Sequence, residues 1–177
     1  MICAGFQVDT KGLKNITFRE IDEKDRPFLC KLYGSSREAE MAVVPWTENQ
    51  KQQFIQMQFD AQHQHYQEYF PHAHYLIIQQ STEILGRIYI DRRENVIALI
   101  DILLTPSYRN HGIGSSLLKI LIEEAIDTSK CIQIHVEKNN PAMQLYQRLG
   151  FLAIEDKGVY ELMEWKPENP PFVDRKC

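Results

Sequence analysis

Two glycines and an arginine in the middle of the chain have the types and spacing of an anion-binding turn. Arg109 stands three residues before Gly112, and Gly114 follows two residues later. The first turn of a helix exposes N–H donors and carries partial positive charge, so an anion gains hydrogen bonds there. Glycines leave the approach open, and an arginine adds planar donors that suit phosphate oxygens. The segment therefore predicts a pyrophosphate-binding turn.

The residues on both sides of this turn predict the elements that position it. The apolar run Val96–Leu104 predicts a buried strand. After the turn, apolar residues recur at three- and four-residue spacing and predict a helix over residues 112–128; they are Leu117, Leu118, Leu121, Ile122, Ala125 and Ile126. Strand, glycine-containing turn and helix is an arrangement that binds phosphate, although a tight turn without a ligand would also explain the glycines.

Two well-known phosphate loops do not fit. A Walker loop ends in Gly-Lys-Ser or Gly-Lys-Thr, whereas Gly114 is followed by Ser115 and the first glycine of that motif is missing. A dinucleotide fingerprint needs three glycines and an acidic residue about twenty positions later.

The hexapeptide Arg109-Asn110-His111-Gly112-Ile113-Gly114 resembles the Gln/Arg-x-x-Gly-x-Gly/Ala signature of the GNAT N-acetyltransferase superfamily. Residues 102–108 resemble that family's strand end with a proline and Tyr-Arg. A second stretch, 139–151, is similar to its Asn-x-x-Ala-x-x-Leu-Tyr pattern with a Leu-Gly-Phe turn. The two signatures stand in the family's order, separated by a predicted strand at Cys131–Val136.

The resemblance implies an α/β fold of the α+β type, with a mixed, mostly antiparallel sheet of about six to seven strands and about four helices. The pattern itself predicts strands at 16–21, 75–79, 84–91, 96–104, 131–136, 151–154 and 159–165. Helices are expected at 50–69, capped by Thr47, and at 112–128 and 140–149. Residues 22–37 predict one or two short helical turns, interrupted by Pro27 and Gly34. We expect one domain over 1–167 and an exposed tail at 168–177.

The resemblance also implies acetyl-CoA as cosubstrate. Its pyrophosphate is expected over residues 109–115, and its pantetheine arm beside the main chain near Leu103 and Leu104, where the Leu104 N–H would polarise the thioester carbonyl. The expected cosubstrate-binding residues are Leu103, Leu104, Arg109, Asn110, His111, Gly112, Ile113, Gly114, Ser115 and Asn139.

Direct acetyl transfer to an amine needs a base and an acid. A lysine-like amine has a pKa near 10.4 and must lose a proton before it attacks. Asp101, the one charge in an apolar strand, is the expected base, or else a carboxylate that only accepts structural hydrogen bonds. Tyr146 matches the family's general acid, and it could instead simply pack beside Leu145 and Leu149.

The acceptor is expected to be a primary amine of a small molecule or peptide. Possible contacts on the N-terminal side are Tyr33, Arg37, Trp46, Phe54 and Tyr66. Two alternatives stay open: a non-catalytic acyl-CoA-binding or sensing module, and an enzyme that uses a longer acyl-CoA. A second copy could pair with an edge strand near Val159–Trp165, giving a homodimer.

Composition limits the other classes of function. The 177 residues carry 24 acidic and 20 basic side chains, a formal charge of -4, which disfavours nucleic-acid binding through a broad basic surface. No apolar run is long enough to cross a bilayer, and no secretory signal is evident, so a cytoplasmic location is expected. The four cysteines and the histidines of 63–74 lack metal-ligand spacing, so no metal is expected.

Overall fold

The computed structural model describes residues 8–10 and 13–168, and the side chains of residues 16–168. The strands are β1 Val8–Thr10, β2 Leu13–Glu20, β3 His74–Gln80, β4 Glu83–Arg92, β5 Val96–Leu104, β6 Cys131–Glu137, β7 Leu152–Lys157 and β8 Tyr160–Trp165. The helices are α1 Arg26–Ser36, α2 Glu38–Ala42, α3 Glu48–Tyr69, α4 Ile113–Thr128 and α5 Met143–Arg148. The predicted tail, 168–177, lies outside the described residues except for Glu168.

The strands form one mixed sheet in the order β1-β2-β3-β4-β5-β6-β8-β7. Every neighbouring pair is antiparallel except β5 and β6, which run parallel. The predicted mixed, mostly antiparallel sheet is therefore confirmed. The described residues add an eighth strand to the six or seven expected, because the three residues of β1 pair with β2.

The strand that closes this end of the sheet differs from the expectation. Residues 159–165 were predicted to supply an edge strand, but β8 lies between β6 and β7. The edge strand at this end of the sheet is β7, which is last in the strand order and pairs with β8. A second copy would therefore have to pair with β7 rather than with β8.

Hydrophobic side chains cover both faces of the sheet. On one face α4 and α5 pack Ile113, Leu117, Leu121 and Tyr146 against strand residues such as Ile88 and Leu99. On the other face α1 and α3 pack Leu29, Tyr33 and Phe59 against Ile77. The sheet is thus covered by helices on both sides.

The α1 helix is continuous, so the prediction of short interrupted turns was wrong. Pro27 lies in the first turn, where its missing N–H costs no hydrogen bond. Gly34 lies near the end, where a Cβ would stand 3.2 Å from Cγ2 of Ile55 on α3. The predicted Thr47 cap is confirmed, because Thr47 and Gln50 form a reciprocal capping box at the start of α3.

The β5 strand separates from β6 halfway along its length. Pairing between them runs from Val96↔Cys131 to Leu99↔Ile134 and then stops, while β4 stays paired with β5 as far as Leu104. Ile100 is an extra residue in β5 between the pairs Ile90↔Leu99 and Tyr89↔Asp101, which makes a β-bulge at the point of separation.

Candidate active site

The gap between β5 and β6 exposes main-chain groups of β5. The Thr105 N–H donates to the Leu85 carbonyl at 2.8 Å, and hydrogen-bonded pairs alternate along an antiparallel ladder. The main-chain groups of Leu103 therefore face β4, and those of Leu104 face the gap. Gly86 permits this close pairing, because a Cβ there would lie 2.2 Å from the Leu103 carbonyl oxygen.

The turn after β5 presents the first N–H groups of α4. Gly112 adopts the left-handed conformation, with φ of 82°, as the N-cap residue. The N–H of Ser116 makes the first helical bond, to the Gly112 carbonyl at 3.0 Å. A glycine cap supplies no side-chain acceptor, so the N–H groups of Ile113, Gly114 and Ser115 lie at the open end of the helix. The predicted geometry of strand, turn and helix is present.

Gly114 is not explained by the fold itself. Its φ is not positive, and the one heavy atom within 4 Å of an added Cβ is Cδ2 of Leu145, at an ordinary contact distance of 3.9 Å. Alanine would therefore fit here, and would favour a helix over glycine. A ligand approaching the turn gives a physical reason for the missing side chain.

Arg109 is fixed beside this turn. Its Nε donates to the Leu104 carbonyl at 3.0 Å, and its Nη2 donates to Oγ of Ser35 on α1 at 2.7 Å. His111 Nδ1 lies 2.7 Å from the Arg109 carbonyl, and Asn110 has a φ of 62°. The Arg109 guanidinium therefore joins the end of β5 to α1, and its predicted contact with phosphate stays a prediction.

Tyr146 projects from α5 into the core near β5. Its ring is buried and meets Phe151 edge-on, with ring centroids 5.7 Å apart. Burial raises the pKa of the Tyr146 hydroxyl above its usual value, and the charge of Asp101 adds to the shift. The hydroxyl therefore stays protonated at neutral pH, within electrostatic reach of Asp101. Tyr146 packs in the core on the α4 and α5 side of the sheet, whereas Arg87, which binds Asp101, contacts Gln62 of α3 on the other side. Joint action of Tyr146 and Asp101 stays a prediction.

Asp101 forms an ion pair that the sequence reasoning missed. Nη2 and Nε of Arg87 lie 2.6 and 2.7 Å from Oδ2 of Asp101. The Arg87 side chain is 2% exposed and that of Asp101 is 20% exposed. Among the described residues, the other oxygen, Oδ1, has no hydrogen-bond partner. One signal was available, because Arg87 is the one charge in the apolar stretch Ile84–Ile90, as Asp101 is in the next strand.

Asn139 lies in the exposed turn between β6 and α5. The neighbouring Asn140, which the sequence predicts to cap the following helix, accepts a hydrogen bond from the Ala142 N–H at 2.8 Å, but the N-cap residue is Ala142. The regular helix begins two residues after Pro141, at Met143, rather than at 140.

The face of the sheet covered by α1 and α3 brings aromatic and charged residues toward Asp101. Tyr66 of α3 meets Tyr89 of β4 edge-on at 6.2 Å, and Gln62 accepts from Arg87 at 3.1 Å. Arg37 pairs with Glu137 of β6 at 2.8 Å. Of the five predicted acceptor contacts, Arg37 and Tyr33 lie together, with the guanidinium 5.6 Å from the centre of the ring, and Tyr66 lies beside Tyr89. Trp46 and Phe54 pack on each other at 5.2 Å.

In the stretches 8–10 and 13–168, no group of three or more His, Cys, Asp or Glu side chains is placed to hold a metal ion. Nor does a helix in those stretches have both the length and the hydropathy for a membrane span.

Comparison with known proteins gives a family model and several similar structures. The model of the acetyltransferase (GNAT) family matches residues 39–151. The PaiA N-acetyltransferase of Thermoplasma acidophilum, solved in complex with coenzyme A, has a TM-score of 0.64 over 86% of this chain and 99% of its own, at 18% identity. An acetyltransferase from Thermus thermophilus has a TM-score of 0.60 over 91% of this chain and 99% of its own, also at 18% identity.

Similarity in sequence to individual proteins is more limited. A spermine/spermidine N(1)-acetyltransferase of Bacillus subtilis strain 168 is 33% identical over 69 residues, which are 37% of this chain and 40% of that protein. The chain spans 24% to 40% of the length of the curated relatives compared with it.

Proposed function

The chain belongs to the GNAT family of acetyltransferases, and we propose that it transfers the acetyl group of acetyl-CoA to a primary amine. One observation carries the proposal: the Leu104 N–H of β5 faces the side where β6 has separated, and the chain then runs through residues 105–112 to the open helix end at Ile113. Acetyl-CoA carries a thioester at one end of an extended arm and a pyrophosphate at the other, so the arm would lie along β5 and the pyrophosphate at the helix end. The coenzyme A held by the PaiA structure supports the same reading.

Different groups of the chain would bind the pyrophosphate and the pantetheine arm of acetyl-CoA. The N–H groups of Ile113, Gly114 and Ser115 would hold the pyrophosphate, with Arg109 adding positive charge beside them. The Leu104 N–H faces the gap, where it can pair with the pantetheine arm as an added half-strand or polarise the thioester carbonyl. Asn139, in the turn beyond β6, would bind the same arm.

Tyr146 would supply the proton to the departing thiolate. Its raised pKa keeps the phenol neutral at physiological pH, which is the form a general acid needs. The ring is held by Phe151 on one side and by the core on the other, so the hydroxyl has a fixed direction.

Asp101 would accept the proton of the amine, directly or through water. Both bonds from Arg87 go to Oδ2, so Oδ1 is free to receive a proton while the carboxylate keeps its orientation. The pair is anchored from α3, because Gln62 accepts a further bond from Arg87. The base would thus be fixed by buried contacts rather than by a mobile loop.

Direct transfer, without an acyl-enzyme, agrees with the state of the described cysteines. Burial raises the pKa of the Cys131 thiol, and burial also raises the pKa of the Cys30 thiol. Both therefore remain mostly thiols at neutral pH, whereas the thiolate is the nucleophile.

Release of CoA from acetyl-CoA, measured by mass spectrometry with and without a panel of amines, tests the proposal. The panel contains polyamines, amino acids, aminoglycosides, arylalkylamines and peptides with free amines. We expect one class to accelerate release and to gain one acetyl group. If acetyl-CoA binds and no amine accelerates its loss, the chain acts as a binding module instead, and a longer acyl-CoA is tested next.

A further inference from the structure

Tyrosines and ion pairs line a wall between Asp101 and Arg37. Tyr66 meets Tyr89 edge-on at 6.2 Å, and the Arg87 guanidinium, which binds Asp101, stands 5.0 Å from the centre of the Tyr89 ring. On α3, Gln62 accepts from Arg87, and Gln58, one turn earlier, accepts from Tyr33. The Tyr160 hydroxyl donates to Glu137 at 3.4 Å. The Arg37 guanidinium, paired with Glu137, stands 5.6 Å from the centre of the Tyr33 ring.

The charges of this wall are almost balanced. Arg87 pairs with Asp101, and Arg37 pairs with both Glu137 and Glu40. Two arginines stand against three carboxylates, which leaves about one negative charge. A site for an amine with several ammonium groups would need several carboxylates free of arginine, because each ammonium loses hydration when it binds.

The rest of the wall is aromatic. Tyr33 is buried, Tyr66 is partly buried, and Tyr160 is 43% exposed at the rim. The Tyr33 hydroxyl donates to Gln58 at 3.0 Å, so its ring is held in place. Phe54 lies one turn before Gln58 on α3 and continues the aromatic surface outward with Trp46. Ring faces and edges of this kind pack an aromatic group and tolerate one ammonium.

We infer that the acceptor is a monoamine with an aromatic body, held between α1, α3 and β8 with its amine at Asp101. The inference rests on the proposed function, since it names the acceptor of that same site. It departs from the polyamines named for the Bacillus subtilis relative. The near balance of charges suits a single ammonium rather than several, and the aromatic body matches the accessible parts of Tyr66 and Tyr160.

The test compares kcat/KM for three amines at saturating acetyl-CoA: phenethylamine, ethylamine and spermidine. Compared with phenethylamine, ethylamine has the same single ammonium and no ring. Spermidine has several ammonium groups and no ring. We expect phenethylamine to exceed both by about tenfold or more. Spermidine equal to or better than phenethylamine overturns the inference and leaves the proposed function standing. If no amine at all is acetylated, the proposed function fails and the inference with it.

A variant that removes one positive charge tests whether the charge balance of the wall determines the preferred amine. Arg37→Gln frees Glu137 and Glu40, so the ratio of kcat/KM for spermidine to kcat/KM for phenethylamine should rise about fivefold. Arg26→Gln is the matched control, because it makes the same change of net charge at the start of α1, whereas Arg37 follows the end of that helix; Arg26 pairs with Asp60. Equal effects of the two variants would contradict the inference. Tyr160→Ala, at the exposed rim, should lower the preference for phenethylamine over ethylamine, and an unchanged preference would also contradict it.

Discussion

Replacing Gly114 by alanine separates what the fold needs from what a phosphate ligand needs. In the folded protein the added Cβ meets only Cδ2 of Leu145, at 3.9 Å, and the backbone has no positive φ. Alanine restricts the unfolded chain more than glycine does, so the free energy of unfolding should rise by about 0.4–1 kcal/mol.

The same methyl group should weaken binding of coenzyme A. It stands in the first turn of α4, among the N–H groups proposed to face the pyrophosphate. A hydrogen bond to a charged group contributes about 1.5–3 kcal/mol, and each 1.4 kcal/mol is about tenfold in Kd. Loss of one such bond therefore predicts a Kd about ten to a hundred times larger.

Urea unfolding followed by circular dichroism measures the first effect, and titration calorimetry with coenzyme A measures the second. Gly112→Ala is the contrasting variant: an added Cβ there has open space, but the φ of 82° should cost about 1–2 kcal/mol of stability. Opposite signs of the stability change at the two positions are expected. An unchanged Kd for Gly114→Ala would refute the placement of the pyrophosphate at this turn.

Three further predictions concern individual side chains. Tyr146→Phe should lower kcat by about 10²–10⁴ with an unchanged Kd for coenzyme A by calorimetry; normal turnover would remove the phenol from the chemistry. Asp101→Asn leaves the buried Arg87 without its carboxylate and should cost about 3–5 kcal/mol in urea unfolding. Adding Arg87→Met should recover part of that loss, and full stability of the single variant would argue against the ion pair. The hydrogen bond from Arg19 lowers the pKa of Asp25, so this pair stabilises the fold above the ordinary aspartate pKa of about 3.9 and ceases to do so as the pH falls below it. The urea midpoint of unfolding should therefore fall less between about pH 7 and pH 3 in Asp25→Asn than in the wild type. An equal fall in both proteins would count against the pair.

Local signals were sufficient where short-range chemistry decides the structure. Thr47 caps α3 because its side chain and that of Gln50 meet three residues apart, and Gly112 starts α4 because the turn needs a positive φ. The alternation and apolar runs of β3 to β5 gave a hairpin and a third strand in the right places.

Other features depend on contacts that are distant in sequence. Pro27 and Gly34 looked like interruptions, but α1 continues through both because it packs along α3. The position of β8 inside the sheet depends on β6, 23 residues earlier at the pair Glu137↔Tyr160, rather than on its own residues. Arg87 was missed because its importance comes from the strand register, which pairs it with Leu103 and so sets it diagonally across from Asp101.

Acetyl transfer at the gap between β5 and β6 is tested most directly by following an isotopically labelled acetyl group. The protein is mixed with labelled acetyl-CoA and the preferred amine, the reaction is stopped at short times, and the amine, the coenzyme and the intact protein are weighed by mass spectrometry. We predict that the label appears on the amine in step with free CoA, that the protein carries no label at any time, and that Tyr146→Phe slows its appearance. Label that accumulates on the protein first, or that never reaches an amine although acetyl-CoA is bound, would contradict direct transfer by this site.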